Sequence, residues 1–144
     1  MRVAVRPAVL FAVALASPVV RPLEAQVVIV TTSAEEPTLA DRTLRHFIAE
    51  RLIALDVPVL RSLDRLGKGQ VCLEYVVSVL ELERGRYDAA IASSVLLRRD
   101  DGGVERTRPR ILHQFHEWED LREMGEQVAE AILEELASVD AESP

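Results

Sequence analysis

Two long β-rich runs stand end to end around a turn signal, and this limits the possible folds more than any other feature. Val71 to Leu82 (VCLEYVVSVLEL) and Tyr87 to Arg98 (YDAAIASSVLLR) flank Arg84-Gly85. Apolar, β-branched runs on both sides of a glycine turn predict a long antiparallel hairpin. A second turn at Asp101-Gly102-Gly103 leads to a third run, Arg108 to Trp118, and extends the hairpin into a meander. A sheet of that size needs a second layer to cover its apolar face.

Two amphipathic segments supply the cover. In the first, Leu44, Phe47, Ile48, Leu52 and Leu55 recur at helical spacing, with Thr38 as the expected N-cap and Asp41 three residues on. In the second, Asp120 is the expected cap, Glu123 holds the reciprocal position, and Leu121, Met124, Val128, Ile132 and Leu136 form the stripe. Val27-Val28-Ile29-Val30 reads as a strand buried on both faces. Val57-Pro58-Val59-Leu60 reads as a short edge piece, because Pro58 cannot donate to a ladder. The expected class is α+β and two-layer, in the order β-α-β-β-β-β-α. It has a mixed sheet with an antiparallel meander, and both helices lie on one face.

Residues 1 to 25 carry the three-part pattern of a secretory signal. Arg2 and Arg6 precede a short apolar run, Ala8 to Ala16, which Ser17-Pro18 breaks before Leu23-Glu24-Ala25. The run is too short for a bilayer span. Cleavage after Ala25 starts the mature chain just before a strand, while cleavage after Ala16, at Ala14-Leu15-Ala16, fits the small-residue rule better and leaves a ten-residue arm. The expected division is a signal over residues 1 to 25, a single domain over 26 to 140 and a disordered tail over 141 to 144. The expected address is periplasmic or secreted, with no integral membrane segment once the signal is removed. The lone cysteine, Cys72, excludes an intrachain disulfide and a thiolate-built zinc site.

The net charge of −7 argues against a nucleic-acid partner, since phosphate backbones reward clustered cations. From Glu117 to Glu142 ten acidic residues face a single base, Arg122, so the closing helix is expected to show a solvated acidic side. Arg42, Arg45 and Arg51 of the first helix are candidates to pair with those acids. Arg98, Arg99, Arg106, Arg108 and Arg110 form the one basic cluster, diluted by Asp100, Asp101 and Glu105.

Strand period assigns the two sheet faces. With plain two-residue hairpins, Leu82 lies opposite Tyr87, Ser78 opposite Ile91 and Ser94 opposite Ile111. Val71, Leu73, Tyr75, Val77, Val79, Ala90, Ala92, Leu96, Ile111 and Phe115 then meet the helices. The other face carries Val76, Leu80, Leu82, Tyr87, Ile91, Val95, Leu97, Leu112 and Trp118. That is more apolar surface than an open face needs, and such patches mark interfaces. The expected partner surface is Val76, Leu80, Tyr87, Ile91, Val95, Leu112 and Trp118, binding another protein or a second copy. On this reading Ile91→Asp abolishes association and leaves the fold intact. The alternative is a carrier that grips an apolar ligand between sheet and helices.

No catalytic constellation is legible, and neither a metal nor a cofactor is expected. His113 and His116 point to opposite faces of a strand and cannot chelate one ion. Gly67-Lys68-Gly69 lacks the spacing of a phosphate loop, and Ser93-Ser94 has no nucleophile elbow around it. The signal, the Val27 to Val30 strand with its helix, the Tyr75 to Leu97 hairpin and the closing helix together resemble small envelope domains of Gram-negative bacteria. These are the lipopolysaccharide-assembly lipoproteins and the amino-terminal domain of the Tol-Pal translocation protein. The resemblance implies a non-enzymatic envelope role. The chain departs from the lipoproteins in having no cysteine near its signal.

Overall fold

The computed structural model describes residues 27–142, and side chains as far as residue 138. The expected signal at 1 to 25 lies outside the described residues. The elements run β1 (Val28–Thr32), α1 (Leu39–Ala54), β2 (Val59–Leu60), β3 (Val71–Glu83), β4 (Arg86–Arg98), β5 (Val104–Arg106), β6 (Arg110–Trp118) and α2 (Leu121–Glu142). A 3-10 turn at Leu63–Arg65 interrupts the loop between β2 and β3. Helix α2 continues two residues into the segment expected as a tail; residues 143 and 144 lie outside the described residues.

The class is α+β with a mixed sheet, as the patterning predicts. Strand β1 is parallel to both β2 and β3, while β3–β4, β4–β5 and β4–β6 are antiparallel. The order across the sheet is β2-β1-β3-β4, with β5 and β6 end to end along the far edge of β4. Pro109 separates the last two strands, and β2 keeps only two paired residues beside Pro58.

Both helices lie on one face. Leu44, Ile48 and Leu52 of α1 and Met124, Val128 and Ile132 of α2 are fully buried over Val28, Tyr75, Val77 and Ile91. The expected caps form. The Thr38 hydroxyl accepts the Asp41 N–H at 3.1 Å and the Asp41 carboxylate accepts the Thr38 N–H at 2.9 Å. Asp41 also accepts the Val79 N–H of β3 at 2.9 Å, so one buried carboxylate caps α1 and moors it to the sheet. Asp120 accepts the Arg122 N–H at 2.9 Å at the start of α2. Between the helices Arg122 of α2 pairs with Glu50 of α1 at 3.7 Å, the reverse of the expected polarity. Arg122 also stacks its guanidinium 4.4 Å from the Phe47 ring centroid.

The two hairpin registers differ from the two-residue expectation, and the cause is local. Glu83 pairs with Arg86 around Arg84-Gly85, where Gly85 takes φ 78°. The next pair is Glu81 with Tyr87, so Leu82 is the extra residue of a β-bulge. One added residue turns every β4 side chain to the other face. Ile91 therefore lies opposite Val77 under the helices, and Ala90 lies opposite Ser78 on the open side. Strand β6 carries two further irregularities, near Glu117 and near Leu112. At the first, Glu117 takes φ 58° and its N–H is accepted by Asp88 at 2.8 Å. Ile111 consequently pairs with Ala92 rather than with Ser94.

Close packing of α1 on α2 depends on Gly125. A Cβ there would stand 2.7 Å from the Phe47 Cβ and 3.3 Å from the Ile48 backbone nitrogen. Gly125→Ala gains about 1 kcal/mol of helix propensity, but overpacking costs about 1–3 kcal/mol. The expected outcome is a lower urea midpoint with unchanged slope, against the propensity trend.

Candidate interaction surface

The bulge at Leu82 divides the seven residues expected to bind a partner. Val76 and Leu80, on β3 below the bulge, stay on the open face. Ile91 does not: it is fully buried in the helix-covered core. Tyr87, Leu112 and Trp118 pack against that same core from its margin. Trp118 lies opposite Tyr87 and meets Phe115 edge-on, with ring centroids 5.0 Å apart. Val95, opposite Leu73, sits on the helix side beyond the helices and is exposed. The placement of these five on the open face is corrected by the added residue at Leu82 and the shifts in β6.

The open face has two zones. At one end the chain covers itself: Leu66, from the loop after β2, buries Ile29, Cys72 and Leu96. Arg98 holds that cover in place, donating to the carbonyls of Leu63 at 2.6 Å, Leu66 at 3.2 Å and Gly102 at 2.8 Å. Beside it the buried Glu74 carboxylate accepts from Arg106 Nε at 2.8 Å, Arg106 Nη2 at 3.1 Å and Ser94 Oγ at 3.1 Å. The bidentate pair ties β5 across the sheet. Burial, and then the Glu74 charge, push the Cys72 thiol up from 9.0 to about 11, against the opposing pull of Arg106.

The other zone stays open. Ala90 and Ala92 make a low floor, with Val76 and Ser78 beside them. Leu80, 62% exposed, and Ile111, 56% exposed, rise on either side. A shallow groove of about 200 Å3 runs between Ser78, Leu80, Ala90, Gln114 and His116. The small floor residues were legible in the sequence, but strand parity assigned them to the helix side. Ile111 was misplaced for the same reason.

A polar cluster sits on the helix side of the sheet. Tyr75 is fully buried, and its hydroxyl donates to Glu135 of α2, which Arg110 of β6 caps from outside. Burial first, and then the bond to Glu135, raise the Tyr75 phenol well above its ordinary range. Periodicity gave no sign of this cluster, because Tyr75, Arg110 and Glu135 belong to three elements. A cleft of about 230 Å3 opens next to it, lined by Leu73, Ser93, Val95, Thr107, Arg108, Arg110 and Glu135.

Among the described residues no group of three or more His, Cys, Asp or Glu side chains could hold a metal ion. His113 stacks on Phe115 with centroids 4.4 Å apart, while His116 lies 4.0 Å from Asp88. No described helix is long and apolar enough to cross a membrane.

Two lipoproteins are among the solved structures similar to this chain. Rare lipoprotein B from Shewanella oneidensis is 14% identical, over 80% of this chain and 96% of its own, at a TM-score of 0.35. A PelC dodecamer from Paraburkholderia phytofirmans is 16% identical over 78% and 87%, at 0.41. A minor lipoprotein from Acinetobacter baumannii is 10% identical over 81% and 93%, at 0.30. No protein-family model and no curated protein matches the chain.

Two outcomes test this geometry. Ile91→Asp places a carboxylate in the filled core and is expected to unfold the protein, at a cost of at least about 4 kcal/mol. Leu80→Asp, on the open face, leaves the circular dichroism melt within about 0.5 kcal/mol of wild type. The thiol supplies the second outcome. Unfolded Cys72 ionises near 9.0 and the folded residue only near 11, so stability falls as pH rises through that window. Cys72→Val is expected to lose less stability than wild type over the same range, read from urea midpoints.

Proposed function

We propose that this chain is an exported, non-enzymatic interaction domain that docks a protein partner on the open part of its sheet. One observation carries the reading: Leu80 and Ile111 stand exposed on either side of a floor of Ala90 and Ala92. Large apolar walls around a low floor accept a ridge of side chains from another protein, and burying them removes apolar area from water at about 25 cal/mol per Å2. Four strands about 4.8 Å apart and roughly five residues of open length give a patch of roughly 300 Å2. A stable interface takes about 800 Å2 from each partner, so the footprint extends past the patch. Strand β6 offers the continuation, since among the described residues it pairs with β4 alone. A second copy of the chain is the first partner to test.

The address rests on residues 1 to 25, whose basic start, short apolar run and helix break support export to the bacterial periplasm or beyond. The carrier reading is weaker. It needs space in the middle of the layer between sheet and helices, and Tyr75, Leu44, Ile48, Leu52, Ile91 and Ile132 fill that middle with no exposed area, leaving only the marginal cleft beside Glu135.

A double variant, Leu80→Glu with Ile111→Glu, separates association from folding because both residues are largely exposed. Sedimentation of wild type and variant over a wide concentration range is expected to show self-association only in the wild type. Crosslinking in the native envelope covers a different partner and is expected to fail in the variant. A wild type that stays monomeric and uncrosslinked sinks the proposal. Export has its own test: residues 1 to 26 fused to a reporter active only outside the cytoplasm should give activity, which Leu10→Arg removes.

A further inference from the structure

The cleft beside Glu135 holds a buried hydroxyl with nothing to bind. Ser93 is 4% exposed and lines the cleft, yet its Oγ has no hydrogen-bond partner among the described residues. Buried polar groups of this kind are uncommon in folded proteins, because an unsatisfied hydroxyl costs free energy. The sheet register explains its position: Ser93 sits between Tyr75 on β3 and Arg110 on β6, facing α2. Its neighbour Ser94, on the other face, is satisfied by Glu74.

The rest of the lining makes this hydroxyl part of a donor set. Thr107 Oγ1 already accepts the Val95 N–H at 2.8 Å, which leaves its own proton to donate outward. Arg108 is exposed, lines the cleft and forms no ion pair with the chain's own acids among the described residues. Glu135 does not oppose an incoming anion as a bare charge, since Tyr75 occupies one of its oxygens and Arg110 the other. Counting Arg108, Arg110 and Glu135, the lining carries one net positive charge. Leu73 and Val95 form an apolar wall in the same cleft. Its volume is about 230 Å3, room for a small organic ligand.

The geometry points to a binding site for a small organic monocarboxylate, its oxyanion held by Ser93, Thr107 and Arg108 and its short apolar body laid on Leu73 and Val95. Charge matches the single excess cation, and a hydroxyl unable to satisfy itself within the chain is satisfied by the ligand. The site is on the opposite side of the sheet from the docking groove and stands whether or not that groove binds a partner.

Hexanoate is a suitable probe, because it joins one carboxylate to a short apolar chain. Titrated into nitrogen-15-labelled protein, it is expected to shift the backbone amides of Ser93, Thr107 and Arg108 in a saturable way. Arg108→Gln and Ser93→Ala are each expected to weaken binding roughly tenfold, while Arg45→Gln, on the exposed side of α1, changes nothing. Ser93→Ala should also melt at or above the wild-type temperature, since it removes an unsatisfied group. A structural role for the hydroxyl would predict the reverse. If that variant fails to fold, the exposed Arg108→Gln decides alone. Inorganic phosphate binding more tightly than hexanoate at the same amides overturns the proposal, as the apolar wall would then play no part. Shifts that never saturate, or that spread over all the arginines, overturn it as well.

Discussion

A single unpaired residue in the central hairpin decides what each side of this molecule is. Strand side chains alternate, so the bulge at Leu82 exchanges the two faces of β4 relative to a plain hairpin. The exchange puts Ala89, Ile91 and the ring of Tyr87 against the helices, where they complete the core with Tyr75 and Val77. It puts Ala90 and Ala92 on the open side, where their small size lowers the floor between Leu80 and Ile111. Without the added residue, Ile91 would be in water and two alanines would face α2. With the bulge, the larger Ile91 rather than an alanine is removed from water under the helices.

Two buried carboxylates, one on each face, hold the far edge of the sheet. Glu74 takes a bidentate grip from Arg106, and Glu135 is capped by Arg110. Both arginines come from the short stretch around Pro109, so that stretch is anchored above and below the sheet. An ionised carboxylate is tolerated in such places only when its oxygens are satisfied. Ser94 and Tyr75 complete the two sets. At Glu74 the planar donor fork of Arg106 spans both carboxylate oxygens. Between these anchors, Ser93 is the hydroxyl that the network leaves out.

The order of the longer elements, the caps at Thr38, Asp41 and Asp120, the edge position of Val59-Leu60 and the helix stripes were determined by the sequence alone, whereas the three-residue β5 was not. Each depends on interactions within a few residues, which spacing and side-chain type report directly. The parity of β3 was legible too, since Leu73, Tyr75 and Val77 alternate on one side and are buried under the helices. The parity of β4 was not. A bulge leaves no composition signal beyond a hydrophobic residue near a turn, and Leu82 reads equally well as paired or extra.

Only the tertiary structure decided which apolar residues face water and which polar ones converge. Tyr75, Arg110 and Glu135 are far apart along the chain, as are Glu74 and Arg106, and no local pattern brings them together. The open groove and the cleft at Ser93 both follow from register, which is set by the packing of the whole sheet against two helices. Local chemistry chose the elements; burial summed over the layer chose how they meet, because a slip of one residue costs nothing locally and exposes an entire strand face.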